Sequence, residues 1–159
     1  MDRIRLNRSL IPSLSRTLGV VFLVIATGCA TPAPPSAGAE VFSRYCATCH
    51  QADASGVPGA YPPLRENEWV QGDPGRLIRL LLFGMQGPVV VKGESYNNAM
   101  PPHAFLSDAQ IAAVLTHVRS NYGNQADSVD AAWVTRIRAA VQRDRAWHPS
   151  ELEGEVGIP

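Results

Sequence analysis

Apolar residues recur at three- and four-residue spacing in four stretches of the chain, and this pattern predicts four helices. The helices are expected over residues 37–46, from residue 73 to residue 84, from residue 107 to residue 123, and over about 130–145. Their apolar faces are, in chain order, Val41, Phe42 and Tyr45; Leu77, Ile78, Leu81 and Leu82; Ile111, Val114, Leu115 and Val118; and Trp133, Val134, Ile137 and Val141.

Local signals mark the ends of two of these helices. Asp73 is a suitable N-cap, and Pro74 fits the first helical position. Ser107 and Gln110 have the spacing of a capping box, in which each side chain bonds to the other residue's backbone. Gly123 is expected to end the helix that starts there, since glycine tolerates the left-handed conformation of a C-terminal cap.

The segment V-V-V-K-G-E-S-Y between the second and third helices predicts a small hairpin that turns at Lys92–Gly93. Residues 51–72 carry several prolines and glycines and show no periodicity, so they are expected to be irregular. The fold class is therefore mainly α with long loops.

The N-terminus has the pattern of an export signal. Four arginines precede a short apolar run, Leu18 to Ala26, and small residues follow it. The run is shorter than the roughly 20 residues that span a bilayer. The stretch A-T-G-C resembles a bacterial lipobox with Cys29 as the lipidated residue, although Ala26 stands where leucine is most common. Ordinary cleavage near Ala30 and an uncleaved anchor are the alternatives.

These signals divide the chain into four parts. Residues 1–28 are predicted to be a signal peptide, and 29–36 a Pro-, Ala- and Ser-rich tether. Without residues 1–28, which contain four Arg and one Asp, ten basic and thirteen acidic residues remain, a net charge of −3. A mildly acidic exported domain has no basic surplus for nucleic acid, and a protein partner is expected instead.

The motif C-A-T-C-H, at residues 46–50, has three chemical interpretations. Structural zinc needs four ligands, and the other histidines are not at zinc-finger spacing. A redox dithiol of the thioredoxin type would accompany a βαβ pattern, which is missing here. Covalent haem attachment remains: both thiols would form thioethers and the histidine would bind the iron, and at this spacing all three side chains share one helix face.

The sequence resembles class I c-type cytochromes beyond this motif. The stretch G-A-E-V-F-S-R-Y-C-A-T-C-H is similar to the family's first helix, with Gly38 and Phe42 where it crosses the last core helix and Val118 or Tyr122 as partners of Gly38. The resemblance implies three to four core helices around one covalently bound haem c. It assigns residues 37–123 to the cytochrome c domain and 124–159 to a C-terminal helical extension.

The same resemblance implies the haem contacts. Cys46 and Cys49 would attach the haem, and His50 would bind the iron. In Y-P-P-L, Pro62 would accept a hydrogen bond from His50 Nδ1, and Leu64 would pack on the ring. Met100, in N-N-A-M-P-P, matches the family's second iron ligand.

Four further residues carry side chains that can bind iron. Met85 is expected to pack, His103 to be exposed, His117 to lie on the surface and His148 to be peripheral. Tyr96 or Asn97 near the Met100 sulfur, and Trp69 or Arg65 near a haem propionate, are weaker expectations that simple packing or solvation equally explains.

The resemblance implies a periplasmic carrier with His/Met iron ligation, not an enzyme. Stretches around Trp69 and Met100 are similar to cytochromes that pass electrons from exported dehydrogenases toward a terminal oxidase. The lipid on Cys29 would tether it to a membrane. The alternative is a haem enzyme or ligand sensor with an open sixth iron position. The extension, residues 124–159, either docks on a partner or packs back on the domain.

Overall fold

The computed structural model describes residues 36–153. The predicted signal peptide, Cys29 and all of the predicted tether except Ser36 lie outside the described residues, as do residues 154–159. The elements are α1 (Ala37–Tyr45), α2 (Ala47–His50), α3 (Glu68–Gln71), α4 (Pro74–Phe83), β1 (Val89–Val91), β2 (Glu94–Tyr96), α5 (Asp108–Ser120), α6 (Ala131–Ala140) and α7 (Pro149–Leu152). The mainly-α prediction with one small hairpin is confirmed. Within residues 36–153, no helix is both long enough and apolar enough to cross a membrane.

Helix α1 crosses α5 at Gly38. A Cβ atom built on Gly38 would lie 2.2 Å from the carbonyl oxygen of Ala113 and 2.7 Å from Cβ of His117. The predicted crossing at Gly38 is therefore confirmed, but its partners are Ala113 and His117, whereas Val118 and Tyr122 were expected. Only glycine lets the two backbones come this close.

We expect Gly38→Ala to lower the free energy of unfolding by about 1–3 kcal/mol, because the added methyl group overpacks the crossing. At a helical site with free space, replacing glycine by alanine would raise the free energy of unfolding by about 1 kcal/mol, because alanine has the higher helix propensity. Guanidinium unfolding of the haem-loaded protein measures the difference. An unchanged or higher stability would contradict the close crossing.

The helix starts and the hairpin follow their predicted signals. The Asp73 side chain accepts hydrogen bonds from the backbone N–H groups of Gly75 and Arg76, and α4 begins at Pro74. In the hairpin, Val89 pairs with Tyr96 and the turn lies at residues 92–93. The capping box of Ser107 and Gln110 at the start of α5 is also present.

Helix α5 ends before Gly123, the residue that was predicted to end it. The last helical residue is Ser120, three positions before Gly123. Tyr122 and Gly123 both have positive φ, 56° and 82°. This turn brings the next residue, Asn124, into the interior, where it is 3% exposed.

The extension packs back on the domain. Helix α6 lies against α4 and α5, with Val134 and Ile137 fully buried. Arg138 Nε lies 2.8 Å from a carboxylate oxygen of Asp108 at the start of α5. Of the two alternatives, packing on the domain is therefore correct for the described residues. The predicted helix end near residue 145 is wrong, because α6 stops at Ala140 and the backbone of the next residue, Val141, is extended.

Candidate haem-binding site

The two cysteines and the histidine reach one cleft because the backbone turns between α1 and α2. Cys46 caps α1, and its carbonyl oxygen accepts hydrogen bonds from the N–H groups of Cys49 (3.2 Å) and His50 (2.9 Å). This single turn places all three side chains on the wall of a cleft that Met100 also lines. The sequence-predicted thioether and iron ligands are thus brought together.

His50 is oriented by the backbone of a distant loop. Its Nδ1 lies 2.9 Å from the carbonyl oxygen of Pro62. A carbonyl only accepts hydrogen bonds, so Nδ1 donates and the neutral ring keeps an unprotonated Nε2. The predicted hydrogen bond to Pro62 is therefore present. Burial of the imidazole lowers the pKa of His50 and the nearby His103 lowers it further, while the bond to Pro62 raises it. The net effect favours the neutral, metal-binding form.

Cys46 and Cys49 are free thiols, not joined in a disulfide. Burial, followed by the proximity of Cys49, raises the pKa of the Cys46 thiol to about 11. Cys46 is therefore protonated at neutral pH in this structure. No group of three or more His, Cys, Asp or Glu side chains within residues 36–153 is placed to hold a metal ion, so the cysteine pair lacks the further ligands of these types that zinc requires.

The cleft is large and mostly apolar. The empty space in the cleft and its open mouth together is about 1200 Å³. Apart from the ligand candidates, its apolar wall comprises Leu64, Val70, Leu77, Leu80, Leu81, Val89, Val91, Val114, Leu115 and Val118. Leu64, which the resemblance predicts to pack on the haem ring, is part of this wall. Such a wall suits a flat apolar macrocycle and keeps water from its centre.

Met100 is held by backbone pairing with Met85. The Met85 N–H donates to the Met100 carbonyl (3.0 Å), and the Met100 N–H donates to the Met85 carbonyl (2.9 Å). Gly84, with φ of 74°, permits this approach, because a Cβ there would lie 2.6 Å from the Met100 carbonyl oxygen. Met85 is buried, as expected, but it also lines the cleft. Two methionine side chains therefore border the site.

Asn124 ties the loop that carries Leu64 to the end of α5, and sequence reasoning missed it. Its side-chain amide donates to the carbonyls of Leu64 (2.8 Å) and Val118 (2.9 Å). Its side-chain oxygen accepts from the backbone N–H of Asn67 (3.0 Å). An asparagine just after a helix ordinarily signals only a cap or a turn, so its long-range role had no local signal.

We expect Asn124→Ala to lower the free energy of unfolding by about 2–4 kcal/mol, because three buried backbone groups lose their partner. Asn97→Ala is the matched control, since Asn97 is exposed, and it should change stability by less than about 0.5 kcal/mol. Denaturant unfolding of both haem-loaded variants gives the comparison. Equal effects would show that Asn124 has no such role.

Two histidines differ from their predictions. His103 was expected to be exposed, but it is half-buried and lines the cleft, and its Nδ1 is buried without a hydrogen-bond partner. His117 was expected on the surface, but it is half-buried: its Nε2 lies 3.1 Å from the Tyr122 hydroxyl, and its ring packs on Phe42. Both positions depend on packing between elements distant in sequence. His148 is exposed, as expected.

Of the four residues expected near the Met100 sulfur or a haem propionate, two line the cleft and two do not. Trp69 and Tyr96 line the cleft, but the Tyr96 hydroxyl donates to Glu94 at 2.8 Å. Asn97 is exposed and is not part of the cleft wall, whereas its neighbour Asn98 is. Arg65 is also outside the wall, and its guanidinium lies 3.6 Å from the Asp53 carboxylate.

The residues present fit a haem c group. Two thiols, an imidazole with a free Nε2 and a thioether border one apolar cleft, and this is the donor set for covalent attachment and two axial bonds. The unpartnered Nδ1 of His103 is a further polar atom available to a bound group.

Comparison with known proteins agrees with this chemistry. The family model described as Cytochrome c matches residues 35–121. Cytochrome c-552 of Thermus thermophilus is 44% identical over 91 residues, which cover 55% of this chain and 69% of that protein.

Two longer proteins match over part of their length. The cytochrome c subunit of the quinone alcohol dehydrogenase of Gluconobacter oxydans is 37% identical over 106 residues, 65% of this chain and 22% of the subunit. The Cbb3-type cytochrome c oxidase subunit CcoP of Rhodobacter capsulatus is 35% identical over 130 residues, 78% of this chain and 42% of that subunit.

Proposed function

This chain belongs to the cytochrome c family of haem-binding electron-transfer proteins, and from that premise we propose that it is a periplasmic electron carrier. In this proposal, Cys46 and Cys49 would hold one haem c covalently, and His50 and Met100 would bind its iron. When bound, haem c supplies a one-electron redox couple.

The observation that carries the proposal is the convergence of these four side chains on one apolar cleft. Pro62 holds the His50 ring in the tautomer that leaves Nε2 for the iron. Met100 presents a neutral thioether, and a methionine opposite a histidine raises the reduction potential. The aliphatic side chains of the cleft exclude water and thereby also favour the less charged, reduced state.

If His50 and Met100 both bind the iron, these two side chains would leave no place on it for a substrate. The residues of the cleft would then bind the haem, orient it and shield it from water, but they would exchange no atoms with a reactant. This arrangement suits a redox subunit or carrier, and we infer no catalytic residue in the chain.

The proposed partners are redox proteins. One relative is by name the cytochrome c subunit of a quinone alcohol dehydrogenase and another is an oxidase subunit. By analogy, we place this chain between an exported dehydrogenase as donor and an oxidase or second cytochrome as acceptor. Contacts of this kind are small and transient.

Tethering through a lipid on Cys29 is part of the proposal and rests on the A-T-G-C stretch alone. Metabolic labelling with a palmitate analogue tests it. The full-length chain should incorporate the label and Cys29→Ser should not. Equal labelling of both would exclude lipidation at Cys29.

The electron-transfer proposal is tested on the haem-loaded protein made in a periplasmic expression host. We expect reversible one-electron reduction and no spectral change when carbon monoxide is added to the reduced protein, because Met100 occupies the sixth position. Rapid carbon monoxide binding would instead favour a ligand sensor or enzyme with an open iron position.

A further inference from the structure

Residues 141–153, which we call the C-terminal strap, run back along the segment that links α4 to the hairpin. The Trp147 N–H donates to the Gly84 carbonyl (3.0 Å), and the Gln86 N–H donates to the Trp147 carbonyl (2.8 Å). These bonds form a parallel bridge between Trp147 and Met85.

Met85 therefore lies in the middle one of three paired backbone segments, between the segment of Trp147 and that of Met100. On one edge it pairs with Trp147 of the strap, and on the other edge it pairs with Met100. The backbone of Met85 therefore links the strap to the proposed iron ligand. A shift of the strap would reach Met100 through this residue.

Glu151 and the groups bonded to it, which we call the Glu151 lock, fix the strap's own conformation, since all of them lie within residues 141–153. Its carboxylate accepts hydrogen bonds from Arg143 (2.7 Å), from Arg145 (2.8 Å) and from the backbone N–H of His148 (2.7 Å). These bonds, the Arg145 bond above all, lower the pKa of Glu151, so the carboxylate stays charged well into the acidic range.

The Trp147 side chain connects the Glu151 lock with the backbone segments that pair at Met85. The Arg143 guanidinium lies 3.7 Å from the centroid of the Trp147 ring. That ring stands edge-on to Phe83 at the end of α4, with centroids 6.5 Å apart. Pro149, which lies between His148 and Glu151, and Leu152, which follows Glu151, are fully buried and anchor this end of the strap.

We propose that the C-terminal strap, whose conformation the Glu151 lock fixes and whose Trp147 backbone pairs beside Met85, is a positioning element that keeps Met100 bound to the iron. The inference rests on the proposed His50–Met100 ligation. It concerns residues beyond the stretch, 35–121, that matches the Cytochrome c family model. The strap touches no reacting atom; it acts through the backbone of Met85.

Glu151→Gln in the haem-loaded protein tests this inference. Imidazole should displace Met100 from the ferric iron about tenfold faster than in the wild type, the factor expected when charge-assisted hydrogen bonds that hold the strap are lost. Stopped-flow loss of the weak long-wavelength absorption band of methionine-ligated ferric haem follows the reaction. Arg145→Gln removes one partner of Glu151 and should give a smaller increase, so the test does not depend on one variant's folding.

Two control variants test whether loss of a negative charge, or a general loss of stability, is enough to speed the displacement of Met100. Asp144→Asn removes the same charge from an exposed site in the strap and should leave the rate within twofold. Ile137→Val weakens the buried face of α6 by about 0.5–1.5 kcal/mol without touching the lock, and it should also leave the rate nearly unchanged.

The inference is overturned if Glu151→Gln behaves as wild type, or if Ile137→Val speeds displacement as much. A wild-type protein without the long-wavelength band would instead contradict the His50–Met100 proposal itself, before any variant is compared.

Discussion

Met100→Leu is expected to lower the reduction potential by on the order of 0.1–0.3 V, within the roughly 0.8 V range over which axial ligands set haem potentials. Leucine has nearly the same volume as methionine, so packing of the cleft should change little. The sixth iron position would then be open, and the reduced variant should bind carbon monoxide. Potentiometric titration and carbon monoxide difference spectra measure the two effects.

Met85→Leu is the matched control for this prediction. Met85 lines the same cleft and pairs with Met100 through its backbone, which the substitution leaves in place. It should keep the wild-type potential to within a small fraction of the Met100→Leu change, and it should not bind carbon monoxide. If Met85→Leu had the larger effect, the ligand would be the methionine that sequence reasoning assigned to packing.

Replacing both cysteines of the motif, Cys46→Ser with Cys49→Ser, is expected to abolish covalent haem attachment completely. Acid–acetone treatment should then extract all the haem from the denatured variant and none from the wild type. The apolar cleft would lose its tethered occupant, so we also expect a low yield of folded protein.

Each single cysteine variant should retain one thioether and an intermediate yield. Both thiols are free in this structure, so each is available for a thioether bond. Complete extraction of haem from the wild type would contradict covalent attachment and return the motif to the dithiol interpretation.

The parts of the fold that were predictable are those with local signals. Asp73 and Pro74 start α4 because capping depends on neighbours two or three residues away. Ser107 starts α5 for the same reason. The cysteines and His50 were predictable because their motif is specific, and Met100 was indicated by the resemblance of N-N-A-M-P-P to the family's second iron ligand. That all four meet in one cleft needed the structure.

The misses involve contacts between distant parts of the chain. Helix α6 was expected to continue through Arg143 and Arg145, which are good helix formers. The chain leaves the helix instead, since Trp147 pairs with the backbone beside Met85 and both arginines bond to Glu151. Tertiary contacts thus override local propensity.

Short elements and single polar residues were missed for a related reason. Helix α3 has four residues, too few to show an apolar repeat, and depends on the Asn67 side chain as its cap. His103 faces the cleft in part because its backbone N–H bonds to the Leu81 carbonyl of α4, and no sequence pattern indicates that bond.

The central claim, that Met100 and not another side chain completes the iron site opposite His50, has one direct measurement. Besides Met1 the chain contains only Met85 and Met100, so proton NMR of the reduced protein with labelled methionine methyl groups can distinguish them. One methyl signal should be shifted strongly upfield by the haem ring current, and it should disappear in Met100→Leu but persist in Met85→Leu. An unshifted pair of methyl signals, or a shifted signal that disappears in Met85→Leu, would contradict the account.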